Sequence, residues 1–241
     1  MKYKYFVLIS FALFSLRLDA QNLSIPPSVD LLKYVEAPNL VQTTRMWGWS
    51  RDGKVAYSTE TKNMDEDKNN VSFCVFDFVN DKAVFKIDID SGKTEDAATA
   101  YNKRRDEIKN AMSRYSIVEQ QASYLRFPIR KGNESYRAET SYTMKTYRPG
   151  EAGYQGLFPN GGSEYREEYS IVIHKNNGKQ KTIKTYTMYS GDGIYGDGPG
   201  FELDVCGYFL SPFENRVLIV ILRFEGYDSI DFSGCHLDFG F

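Results

Sequence analysis

The chain has 241 residues, of which 41% are hydrophobic and 26% charged, and its formal net charge is −2. That length and composition suit one or two globular domains, and the charge excludes a global basic field of the kind that draws in nucleic acid. Eighteen Tyr and sixteen Phe favour strands over helices.

Lys2 and Lys4 precede an apolar run over residues 5–16, "YFVLISFALFSL". The run is too short to cross a bilayer as a helix and has the length of a signal-peptide core, with Ala20 before the cut. Residues 1–20 are therefore expected to be a signal peptide and 21–241 a single mostly-β domain, exported to the periplasm or the medium. Removing Lys2, Lys4, Arg17 and Asp19 takes away a net +2 and leaves −4. No later segment is long and apolar enough for a membrane helix. Residues 21–44 are polar and punctuated by Pro26, Pro27 and Pro38, and are expected to be a lead-in with little regular structure.

From Trp47 the pattern becomes that of strands and turns. "WGWSRDGKVAYS" is an aromatic strand end, a tight turn, and a second strand that runs over residues 54–60. A polar loop follows, then a strand over 71–78, "VSFCVFDF", with apolar residues on both faces. After the turn "VNDK", residues 83–89 alternate, Val84 and Lys86 against Phe85 and Ile87. Asp and Gly tolerate the left-handed backbone of such turns. Trp49, Ser50, Asp52, Gly53 and Lys54, with the strands at 71–78 and 83–89, resemble one blade of the TolB-type β-propeller repeats. Residues 201–241 resemble a second, looser copy: an aromatic strand, Ser211 and Pro212 in the turn, then a strand over 217–224. Phe213, Glu214 and Asn215 there depart from the expected D-G. In a final run, "GCHLDFGF", Cys235, Leu237, Phe239 and Phe241 share a face. The resemblance covers residues 47–89 and 201–241 and implies an interaction platform.

The middle of the chain does not continue the repeat. Residues 94–114 read as one helix, with Thr94 as N-cap, Glu95 and Asp96 in the first turn, and a stripe of Ala97, Tyr101, Ile108, Ala111, Met112 and Tyr115. Lys103, Arg104 and Arg105 face away from the stripe. Residues 135–147 read as a strand, and 164–190 as a hairpin turned by Asn177-Gly178, with Tyr169, Ile171 and Ile173 on one face. A closed propeller needs at least about four blades of some forty residues. The expected fold is therefore α+β and mostly β: an antiparallel sheet, or two packed sheets, with blade-like hairpins and one covering helix, and not a complete propeller.

His174 and His236 lie outside any triad or zinc motif, and no phosphate-binding glycine loop is present. Cys74, Cys206 and Cys235 read as small buried hydrophobes; a central strand between Cys206 and Cys235 would keep them too far apart to bridge. "DEDKNN", from Asp65, lacks the Gly and the Glu of an EF-hand. The loop from Gly191 to Gly200 gathers Asp192 and Asp197 around Tyr195, which makes those three the candidate ligand-binding residues, with Ca²⁺ as a candidate cofactor. The leading function is a non-catalytic binding or scaffolding protein of the cell envelope, with a protein or small-molecule partner. Two alternatives stay open, a small outer-membrane β-barrel and a hydrolase using an Asp/Glu pair. Intact-mass measurement of protein recovered from the periplasm or medium is expected to show an N-terminus near Gln21. A full-length product confined to the cytosol is the contrary result.

Overall fold

The structure is a computed structural model that describes residues 23–29, 31, 42–63, 68–91, 96–120, 122–157, 162–191, 202–224 and 228–241. The expected signal peptide, Asp65, Thr94 and the loop residues Asp192, Tyr195 and Asp197 lie outside them.

Three antiparallel sheets form where the sequence alternates. The first runs β1 (Ser28–Val29), β2 (Gln42–Trp49), β3 (Lys54–Asn63), β4 (Lys68–Asp77) and β5 (Lys82–Ser91), each strand beside its neighbour in sequence. The second has the order β10 (Gln180–Gly191), β9 (Glu164–Lys175), β8 (Glu134–Tyr147), β7 (Ile129–Lys131). The third has the order β13 (Asp228–His236), β12 (Arg216–Phe224), β11 (Glu202–Leu210), β6 (Tyr124–Leu125). One or two sheets were expected, so the third is an addition. β2 also begins inside the expected lead-in.

The turns follow their side-chain chemistry. Ser50 Oγ accepts the Lys54 N–H at 2.8 Å, and Gly53 takes φ +82°. Asp77 Oδ1 accepts the N–H groups of Val79 and Asn80 at 3.0 Å each, closing the β4–β5 turn. In the β9–β10 turn Gly178 has φ +86°, and Asn177 Oδ1 accepts the Lys179 N–H at 3.1 Å.

The expected single helix is two. α1 (Ala97–Lys103) is capped by Asp96, whose carboxylate accepts the Thr99 N–H at 2.7 Å, in place of the expected Thr94. At Arg104 (φ −108°, ψ 18°) the helix breaks. Its N–H bonds back to Tyr101 O at 3.1 Å, a tight 3₁₀-type closure, before α2 (Arg105–Arg114) begins. The break re-aims the stripe, so that Tyr101 before it and Ile108 after it both reach full burial against the sheet. Arg104 turns outward to Glu107.

The apolar residues sort into layers. Trp47, Phe73, Val75, Ile87, Tyr101 and Ile108 pack between the helices and one face of the first sheet. Trp49, Val55, Phe76 and Phe78 on its other face meet Phe209, Leu218, Val220 and Phe232 of the third sheet. The third sheet's far face, with Val217, Ile219 and Ile221, meets Ile171 and Ile173 of the second. The order is helices, first sheet, third sheet, second sheet. Two details depart from simple alternation. A bulge opposite Val75–Phe76 places Val84 with Phe85 on the helix side. β13 ends at His236, where the chain turns: Cys235 and Leu237 are buried, but Phe239 is 69% exposed and Phe241 rests on Tyr136. All three cysteines are free, and β12 stands between the strands of Cys206 and Cys235.

One polar junction ties all three sheets together. Gly234 of β13 lies against the Phe78 carbonyl, where an added Cβ would come within 1.7 Å of the oxygen, and its N–H donates to Asp81 Oδ1 at 3.0 Å. Lys184 of β10 reaches Asp231 Oδ2 at 3.0 Å and Asp81 Oδ2 at 3.5 Å. The Tyr186 hydroxyl donates to Asp231 Oδ2 at 2.6 Å. Burial opposes the Asp231 charge, but Lys184 and Tyr186 outweigh it and hold this carboxyl below the usual range.

Replacing the fully buried Ile108 by Ala is expected to cost about 2–5 kcal/mol by chemical denaturation. Asp231→Asn is expected to cost about 1–3 kcal/mol at neutral pH. Because the Asp231 pKa is depressed in the folded state, its contribution is full above the unfolded value of about 3.9 and is lost as pH falls through the folded one. Urea midpoints of wild type and variant should therefore converge toward acid pH.

Candidate functional site

The described residues hold an open cleft of about 760 Å³ at the margin of the first sheet. One wall is residues 24–29, the other is residues 119, 120 and 122–124, and Met46 and Trp47 of β2 form the floor. Its position follows from how the edge of β2 is covered. β1 pairs with β2 only at Thr44 and Arg45, because Pro26 and Pro27 have no N–H with which to extend the ladder. At the other end Trp49 exchanges backbone hydrogen bonds with Val118, at 3.0 and 2.8 Å. Gly48 permits that approach: it takes φ +154°, and a Cβ there would lie 2.2 Å from Val118 O. Between the two covers, the edge at Met46 and Trp47 opens into the cleft.

A chain of hydrogen bonds fixes floor and wall to one another. Trp47 Nε1 donates to Ser58 Oγ at 2.8 Å, and the Tyr101 hydroxyl lies 2.8 Å from the same oxygen and 3.1 Å from Glu60 Oε1. With one proton on each hydroxyl, Ser58 donates to Tyr101 and Tyr101 to Glu60. Burial and the neighbouring Glu60 push the Tyr101 pKa up, so the phenol stays protonated. Glu60 pairs with Arg45 Nε at 2.6 Å, and Arg45 Nη1 donates to Pro26 O at 2.9 Å in the cleft wall. Trp47 also meets Phe73 and Tyr101 edge-on, at 5.6 and 5.4 Å. The floor is therefore rigid.

The lining is apolar at Ile25, Pro26, Pro27, Val29 and Ala122, and carries hydroxyls at Ser24, Ser28 and Ser123. Among the described residues that line it, Glu119 is the one charged side chain. Neither histidine reaches it. His174 pairs with Glu139 at 3.1 Å on the second sheet, and His236 packs on Phe239 and accepts the Asp238 N–H.

Other carboxylates meet structural demands. Glu164 and Glu167 are both buried, but three positions apart on β9 they face opposite sides. Glu164 accepts the N–H groups of Gln155 and Leu157, and Glu167 accepts the hydroxyls of Tyr169 and Ser190. Asp81 and Asp231 do converge, yet all four of their oxygens are taken by Lys184, Tyr186 and the N–H groups of Gly234 and Phe232. Among the described residues no group of three or more His, Cys, Asp or Glu could hold a metal ion.

Trp47–Ser58 and the prolines Pro26, Pro27 and Pro38 stand out in the sequence, whereas residues 119–124 form a polar run that carries no motif. The prolines just before a strand were the available signal for an uncovered edge. The chain matches no protein-family model and no curated protein sequence. Among the described residues no helix is long and apolar enough to cross a membrane.

Proposed function

We propose that this is an exported, non-catalytic binding protein whose cleft takes an extended peptide segment of neutral or basic character. The observation that carries the reading is the gap in the β2 edge at Met46 and Trp47, set between a proline-rich wall and residues 119–124. A peptide laid along such an edge gains main-chain hydrogen bonds, and flanking apolar surface selects its side chains. Glu119, the one charged side chain among the described lining residues, favours a basic side chain over an acidic one. The lining supports binding over acid–base chemistry, since among the described residues no histidine or lysine lines the cleft beside its serines. Burial of residues 217–221 of β12 on both faces favours this reading over a barrel wall, where one face would meet lipid. The expectation of export rests on Lys2, Lys4 and the apolar run before Ala20.

The mature protein should select peptides from a displayed random library, with basic and apolar residues enriched. Binding of a selected peptide should shift the backbone amide resonances of Met46, Trp47 and Ala122. Glu119→Lys should weaken binding of the basic peptides by roughly fivefold or more. Failure to select any peptide, or shifts confined to another surface, would overturn the assignment.

A further inference from the structure

The geometry points to a second copy of this chain as the partner of the β8 edge. Along one side β8 pairs with β9 from Tyr136 to Tyr147 without a register shift. Along the other, β7 covers only Glu134, Ser135 and Tyr136. Among the described residues nothing pairs with positions 137–147 on that edge. An open edge is a row of N–H and C=O groups ready to take another strand, and proteins normally blunt it with proline, a bulge, short length or charged side chains. β8 lacks the first three: it is the longest strand among the described residues, its sequence "ESYRAETSYTMKTY" contains no proline, and its pairing is unbroken, while its charges are of both signs. Residues 139–146 are exposed on both faces, with Tyr142 at 45% and Met144 at 52%.

The choice of partner comes from the charges. Glu139 lies three residues before Tyr142 and Lys145 three residues after it, so the two charges share one face of the strand, opposite to that of Tyr142. Antiparallel pairing about a two-fold axis at Tyr142 sets Glu139 opposite the partner's Lys145, and by symmetry Lys145 opposite the partner's Glu139. Tyr142 then meets the partner's Tyr142, and Thr140 the partner's Met144. Moving the axis to Ser141 would instead set Arg137 against the partner's Lys145, a like-charge pair. Moving it to Thr143 would leave both Glu139 and Lys145 without an opposite charge. Glu139 already lies 3.1 Å from His174 within its own protomer, but its side chain is 70% exposed and keeps a free approach to a second cation. Joining the two edges would make one continuous sheet across the dimer, on a surface separate from the cleft.

Sedimentation of the mature protein over a concentration series tests this. Wild type should show a monomer–dimer equilibrium. Lys145→Glu and Glu139→Lys should each weaken it by about tenfold or more, since each reverses two symmetric contacts. The double variant, with wild-type composition, should restore it. Circular dichroism establishes that each variant is folded. Tyr142→Cys should form an intermolecular disulfide between the two introduced cysteines, because opposed strand residues have Cα atoms about 4.5–5.5 Å apart. Thr146→Cys should not, because the two copies of position 146 would stand about 26 Å apart. A wild-type monomer at every concentration overturns the proposal. So does a dimer unmoved by the reversals, or one in which position 146 cross-links and 142 does not.

Discussion

The burial of β12 on both faces is the constraint around which this protein is built. Residues 217–221 are without solvent exposure, and their side chains divide alternately between two interfaces. Leu218 and Val220 need the first sheet; Val217, Ile219 and Ile221 need the second. A strand apolar on both sides cannot lie at the surface of an antiparallel sheet, so the third sheet has to be covered twice. β4 repeats the logic one layer out, with Phe73 and Val75 toward the helices and Cys74 and Phe76 toward β12.

Hydrophobic contact alone leaves the stacked layers free to slide, because it is non-directional. The junction around Gly234 supplies the direction. Its missing side chain lets the β4–β5 turn touch β13, and Asp81, Lys184 and Asp231 then tie that contact to β10 with bonds of defined geometry. These charges are only partly hidden from water, which lowers the penalty for burying them. The buried glutamates of β9 act in a similar way, satisfying backbone and hydroxyl donors at the far end of the second sheet.

The cleft is a product of the outermost layer. Helix α1 contributes Tyr101, and through Ser58, Glu60 and Arg45 that one phenol is linked to both floor and wall. The helices therefore do more than cover apolar surface. They fix the shape of the margin where β2 is left bare. The edge of β8, without a partner among the described residues beyond Tyr136, lies in a different layer and arises differently, from a strand that outruns its neighbour β7.

The sequence by itself determined most of the longer strands and the turns, and the faces of strands that alternate without a bulge, because those rest on neighbours a few residues apart. Tyr169, Ile171 and Ile173 share a buried face as their alternation requires, and Ser50, Gly53, Asp77 and Gly178 each shape the turn in which they stand. The apolar pattern of 71–78 and 217–222 also announced burial on both sides. Only the tertiary structure decided which layer covers which face, since an alternating strand carries no label for its partner. The same holds for the break at Arg104, on either side of which the helices pack on the first sheet, and for the bulges at Trp47 and Val84. The cleft was least legible of all. It is bounded by segments almost a hundred residues apart, and what joins them is a glycine that lets Val118 close on β2, a contact between backbones in which no side-chain pattern takes part.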